Sequence, residues 1–167
     1  SSNVSTCSFD VVVTDVNAPT ITCAAAPGTA EATSSAGAAV SYDAVTATDI
    51  GDNDLSVIYS AASGSTFSIG TTTVTATATD DNGNSSTCSF DVTVVDTTVP
   101  TITCAAAPGA AEATSPSGAA VSYDVATATD IADDSVDLTY SAASASTYAI
   151  RTPTATATAT DDHGNGS

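Results

Sequence analysis

Apolar and polar residues alternate one for one along much of the chain. Over 73–79, threonines at 73, 75, 77 and 79 alternate with Val74, Ala76 and Ala78. Over 89–95, Phe90, Val92 and Val94 alternate with Ser89, Asp91 and Thr93, and Val57 and Tyr59 do the same against Ser56, Ile58 and Ser60. A period of two sends successive side chains to opposite faces of a strand, so each stretch predicts a half-buried strand. β-branched residues fill these stretches, as strands prefer. Turn signals punctuate them at Pro27-Gly28, Asp52-Asn53, Ser63-Gly64, Ile69-Gly70 and Asp81-Asn82-Gly83. No stretch joins helical capping to an apolar face of period 3.6. Parallel pairing needs long crossovers, usually helical, so the strands are expected to be antiparallel. In Asp80–Asn84 a glycine able to take positive φ follows Asp and Asn, which predicts a hairpin of 73–79 with 86–95.

The same pattern returns in register after 81 residues, without a gap. Pro19 to Gly28 (PTITCAAAPG) reappears unchanged as Pro100 to Gly109, GAAVSYD at 37–43 as 118–124, and TATATDD at 75–81 as 156–162. A fixed period of this kind marks a modular array. The predicted fold class is therefore all-β: tandem antiparallel immunoglobulin-like β-sandwiches on an 81-residue repeat. Residues 1-16 read as the final strand of a neighbouring module, 17-97 as a complete sandwich, and 98-167 as a sandwich lacking its final strand. The linker Asp15-Val16-Asn17-Ala18 is short, and Pro19 and Pro100 stop the ladder at each junction, so a rod is expected.

Charge narrows the partners. Nineteen acidic residues face one basic residue, Arg151, for a formal net charge of −18. Such a surface repels phosphate backbones and anionic lipid, so no nucleic-acid partner and no membrane insertion are expected. No apolar run approaches membrane-spanning length. No catalytic constellation is visible, and the chain reads as a non-enzyme. His163 stands where the other copy has Asn82 and reads as a solvated turn residue; Arg151 replaces Gly70 at a strand-end turn.

Four cysteines occupy two equivalent sites of the repeat. Cys7 and Cys88 lie early in the last predicted strand, and Cys23 and Cys104 in the first. From Cys7 the chain runs extended for some ~25 Å before entering the next module, so a bond to Cys23 would need a reversal out of register. Cys23–Cys88 joins the first and last strands of one module, the staple expected of a small secreted domain with a modest core. Cys7 and Cys104 are then expected to pair with a neighbouring unit or repeat. Zinc is disfavoured, since there is no Cys-x₂-Cys and His163 is the only histidine. Asn3, Asn84 and Asn165 each begin an Asn-x-Ser acceptor pattern at one position of the repeat, which predicts N-linked glycans at a hairpin tip; the alternative is a turn role alone. Asp49, Asp52 and Asp54, and in the other copy Asp130, Asp133 and Asp134, cluster in a loop. They are candidate calcium ligands, as is the junction segment Asp15-Val16-Asn17, with solvated acidic loops as the alternative. No other cofactor is expected.

The order Pro-Thr-Ile-Thr-Cys, Ala-Val-Ser-Tyr, Ala-Thr-Asp, the Thr-x-Thr strand and Gly-Asn-x-Ser-Thr-Cys-Ser-Phe-Asp-Val resembles the hyalin repeat (HYR) family over nearly the whole chain. The resemblance implies immunoglobulin-like sandwiches in tandem, outside the cell, with architectural rather than enzymatic roles. Many members have a further cysteine pair in the middle strands, where this chain has Ala39–Val40 and Asp49–Ile50. The expected function is a glycosylated extracellular rod or filament of stacked modules. Its partner is the chain itself, through strand completion between units or along a longer covalent array. The alternative is an adhesion module for a protein or glycan partner, stabilised by calcium. Low aromatic content disfavours a dedicated recognition surface.

Overall fold

The computed structural model describes residues 1–151 and 153–167. These form fourteen short strands and no helix, an all-β fold. The chain divides into two compact units. One comprises Ser1–Ala26, Tyr42–Ser63 and Thr73–Asp91; the other comprises Pro27–Ser41, Gly64–Thr72 and Val92–Ser167.

In the first unit, β1 (Thr20–Thr22) pairs antiparallel with β4 (Thr46–Thr48), with Ile21 opposite Ala47. β5 (Ser56–Tyr59) pairs with the end of β7 (Gly70–Thr79), with Val57 opposite Ala78 and Tyr59 opposite Ala76. The turn at Gly83 leads into β8 (Ser85–Val95). The alternation sorts side chains as the period requires: Val74, Ala76 and Ala78 are fully buried. The threonines between them look outward and meet polar partners across the hairpin. Thr73 Oγ1 donates to Asp91 Oδ1 at 2.7 Å, and the Thr75 and Ser89 hydroxyls lie 3.0 Å apart. Two tyrosines brace the interior. Tyr59 OH accepts the Val45 N–H at 2.8 Å, and Tyr42 OH donates to the Ala61 carbonyl. Phe90 meets the Tyr42 ring edge-on at a centroid distance of 4.8 Å.

In the second unit, β2 (Ala30–Glu31) runs parallel to the end of β8, Ala30 opposite Val94. β7 and β8 pass through both units and complete a four-stranded sheet in the order β2-β8-β7-β5. β3 (Ala38–Ala39) pairs with β6 (Thr66–Phe67). The second copy of the repeat then reproduces most of the first in register. β9 (Thr101–Thr103) pairs with β11 (Thr127–Thr129), β10 (Ala119–Ala120) with β13 (Thr147–Tyr148), and β12 (Asp137–Tyr140) with β14 (Ala157–Thr160).

The predicted strand over 154–160 is corrected at its start. Thr154, Ala155 and Thr156 are not in a strand, whereas their mates in β7 are. The reason is pairing: the first half of β7 lies against the second half of β8, and the counterpart of β8 would begin at position 166. For the same reason the mates of β2, Ala111 and Glu112, form no strand. Only the first residues of that pairing are present, where Ala159 and Ser167 exchange both backbone bonds at 3.0 Å. Residues 1–19 form no strand within this chain.

Each copy has a glycine that its fold requires. Gly37 has φ +105°, and a Cβ built on it would overlap the Phe67 carbonyl oxygen; Gly118 repeats this at φ +112° against Tyr148. The strain of an L side chain at that φ adds to the overlap. Gly37→Ala is expected to destabilise by about 2 kcal/mol. The readout is a lower urea midpoint at unchanged slope; an unchanged midpoint would show that β3 shifts freely.

Candidate functional site

Cys23, one residue beyond β1, is bonded to Cys88 in β8, with Cα atoms 5.7 Å apart. The bond therefore joins the β1–β4 sheet to the sheet that holds β7 and β8. Cys7 and Cys104 are exposed and unpaired.

Around the second copy's unpaired cysteine lies a cleft of about 700 Å³, lined by Val121, Tyr123, Ala126, Tyr140, Tyr148 and Ala157 among others. Its walls are the register mates of the first copy's core. Val40, Phe67 and Ala76 are 6%, 3% and 0% exposed, whereas Val121, Tyr148 and Ala157 are half-buried. Ala32 is 3% exposed and its mate Ala113 is fully on the surface. The tyrosine brace persists, with Tyr140 OH accepting the Ala126 N–H at 2.8 Å and Tyr123 OH donating to the Ala142 carbonyl. The second copy is thus folded but open along the line that β8 covers in the first.

Carboxylates gather in each unit at the end where the copy begins. Ligand atoms of Asp15, Asp49 and Asp80 lie within 4.8 Å of one another, as do those of Asp96, Asp133, Asp161 and His163. The hairpin turn builds part of each cage. Asp80 Oδ1 accepts the backbone N–H groups of Asn82 and Asn84 at 2.9 and 2.8 Å, and Asn84 Nδ2 donates to Asp80 Oδ2 at 2.7 Å. Asp161 does the same with His163 and Asn165 at 3.0 and 2.7 Å, and with Asn165 Nδ2 at 2.9 Å. Burial pushes both carboxyls up, but these hydrogen bonds outweigh it and hold Asp80 and Asp161 below the ordinary carboxylate value.

The expected metal residues are regrouped by this geometry. Asp49 and Asp133 enter the cages, while Asp54 and Asp134 do not. Asp54 is exposed, its N–H bonded to Asp52 Oδ1 at 2.8 Å, and Asp134 Oδ1 accepts from the Ser35 hydroxyl at 3.1 Å. Asp52 Oδ2 caps the turn by accepting the Asp81 N–H at 3.0 Å. Asp130 Oδ1 accepts the Ala132 N–H at 2.8 Å. The junction Asp15 enters the first cage as expected, whereas grouping by nearness along the chain missed Asp80, Asp96 and Asp161. The signal that finds them is the repeat itself, since an Asp at the junction and an Asp at the hairpin recur together at 81 residues.

His163 sits exposed in the turn, as expected, but its ring also faces carboxylates. Its Nδ1 lies 3.2 Å from Asp96 Oδ2 and 3.4 Å from Asp133 Oδ2, with only 30% of its side chain exposed. Burial pulls its basicity down, but the Asp133 hydrogen bond and the surrounding carboxylates outweigh it and raise it above the usual histidine value. Arg151 lies exposed at the bend after β13. Of the acceptor asparagines, Asn3 is exposed. Asn84 and Asn165 are half-buried, and their amides also reach the Asp15 and Asp96 carbonyls at 3.4 and 3.2 Å. A sugar on either amide would displace one of those bonds.

Among the described residues no helix is long and apolar enough to cross a membrane. No protein of established function matches the chain significantly. The family model of the HYR domain matches residues 14–94 and again 95–167. HYR domains are extracellular, non-catalytic repeat modules. With two adjacent matches spanning nearly all of it, this chain belongs to the HYR-domain family.

Proposed function

We propose that the chain is a structural protein of the extracellular space whose open module accepts a final strand from a second copy, so that units join head to tail into a filament. The observation that supports this reading is the cleft, which follows the line that β8 covers in the first copy. A segment of matching chemistry is present at 3–15. Cys7 is the register mate of Cys88, Phe9 of Phe90, Val11 of Val92 and Val13 of Val94. Phe9, Val11 and Val13 are 83%, 74% and 90% exposed, a state that favours docking on an apolar cleft. Strand addition would satisfy the open backbone groups of β14, and the alternate side chains would fill the core. Cys7 would then meet the neighbour's Cys104. A contact between two different surfaces does not close on itself and propagates as a fibre. Sugar, where present, is assigned to exposed Asn3.

Non-reducing peptide mapping of native material tests the strand. A linked Cys7–Cys104 peptide is expected; two free thiols would overturn the reading. Denaturing electrophoresis under reduction tests the break between chains. A band near 16.1 kDa is expected, and a product many times that mass would place the donor strand on the same covalent chain instead.

A further inference from the structure

We propose that the two acidic cages are binding sites for a hard divalent cation of the calcium class. The second cage supplies the decisive observation. The Asp96 side chain is fully buried, and its Oδ2 accepts no hydrogen bond; its nearest cationic group is His163 Nδ1 at 3.2 Å, and Asp133 and Asp161 lie beside it. Asp133 is equally enclosed, at 6% side-chain exposure, and Asp161 is 6% exposed as a residue. Asp130, in the same loop, also has a buried Oδ2 without a hydrogen bond. Carboxylates taken out of water at this spacing need a positive charge among them. The protein supplies little: there is no lysine, and Arg151 belongs to another turn.

The first cage has even less compensation, because Asn82 stands where the second has His163. Its three carboxylates come from the segment before β1, the loop before β5 and the end of β7. The Asp15 carboxylate lies directly against Gly51, where a Cβ would meet its Oδ2 and the carboxylate would have to turn aside. The two cages share two register positions, 15/96 and 80/161, and each takes its third carboxylate from the same acidic loop of the repeat, Asp49 in the first and Asp133 in the second. The spacing suits the ion. Oxygens that share a calcium at 2.3–2.6 Å sit no more than about 5 Å apart, and the ligand atoms here lie within 4.8 Å. The first cage offers oxygen atoms alone and the second three carboxylates beside the His163 ring nitrogen, a predominantly oxygen set that favours calcium or magnesium over softer metals. Ligands drawn from irregular loops favour calcium, since magnesium demands a strict octahedron.

The test is calorimetric titration of calcium chloride into the EDTA-treated full chain near neutral pH, with magnesium chloride as comparator. Saturable binding of calcium at two sites is expected, tighter than magnesium by about tenfold or more. Asp15→Asn is expected to remove the first site and Asp96→Asn the second. Absence of saturable binding, or unchanged stoichiometry in the Asp15→Asn/Asp96→Asn double variant, would overturn the proposal. Should a variant fail to fold, melting of the unaltered chain decides. Calcium is expected to raise its melting temperature relative to EDTA, and an identical temperature in both overturns the proposal.

Discussion

Removing the Cys23–Cys88 bond is expected to lower the unfolding free energy by about 4 kcal/mol on the chain-entropy model. The bond closes a loop of 65 residues, so the unfolded chain regains a large set of conformations when it is cut. The folded side offers little to offset this. The core of the same unit includes Val74, Ala76 and Ala78, small side chains that bury little apolar area each. A natural domain of this size is stable by only about 5–15 kcal/mol, so the bond is a large share of the total. Urea unfolding with and without reductant is the measurement. The reduced protein and the Cys23→Ala/Cys88→Ala variant are expected to share one lowered midpoint. Equal midpoints for reduced and oxidised protein would show that the sheets hold without the bond.

Phe90→Ala is expected to cost about 3–5 kcal/mol. Phe90 is 7% exposed and is the largest side chain that β8 contributes to the core. Its ring meets Tyr42 edge-on, and Tyr42 in turn contacts Tyr59 at a centroid distance of 5.6 Å. Truncation leaves a cavity beside a tyrosine whose hydroxyl is already fixed on the Ala61 carbonyl, so collapse into the gap is opposed. Asp91→Ala, one residue on and outward-facing, is expected to stay within about 0.5 kcal/mol. A similar loss from both substitutions would mean that the alternation does not decide which face is core.

Alternation made the hairpin legible. Thr73 to Thr79 and Ser86 to Val95 carry an unbroken period of two, and β7 and β8 occupy those positions with a few residues added at each start. β2, β3 and β6 are two residues each and were not legible. Alanine-rich pairs such as Ala38–Ala39 have no distinctive periodicity, and partners elsewhere in the fold decide them. The cages were half legible. Acidic loops stand out in composition, but Asp15 and Asp80 are 65 residues apart in sequence, and only the antiparallel layout brings them together. His163 was half legible for a related reason. A turn position implies solvent, and the residue is exposed, yet its ring also faces the carboxylates of Asp96 and Asp133.

The place of the disulfide also bears on how the module answers to tension. A pull along the chain enters through β1 and leaves through the end of β8, and Cys23 and Cys88 sit on those two strands. Force crosses from one to the other through the covalent bond. Residues 24–87 are spared, and with them roughly 200 Å of extended chain stays locked away. An oxidised module under load can therefore yield only its few flanking residues, and a reducing agent would return the rest as slack.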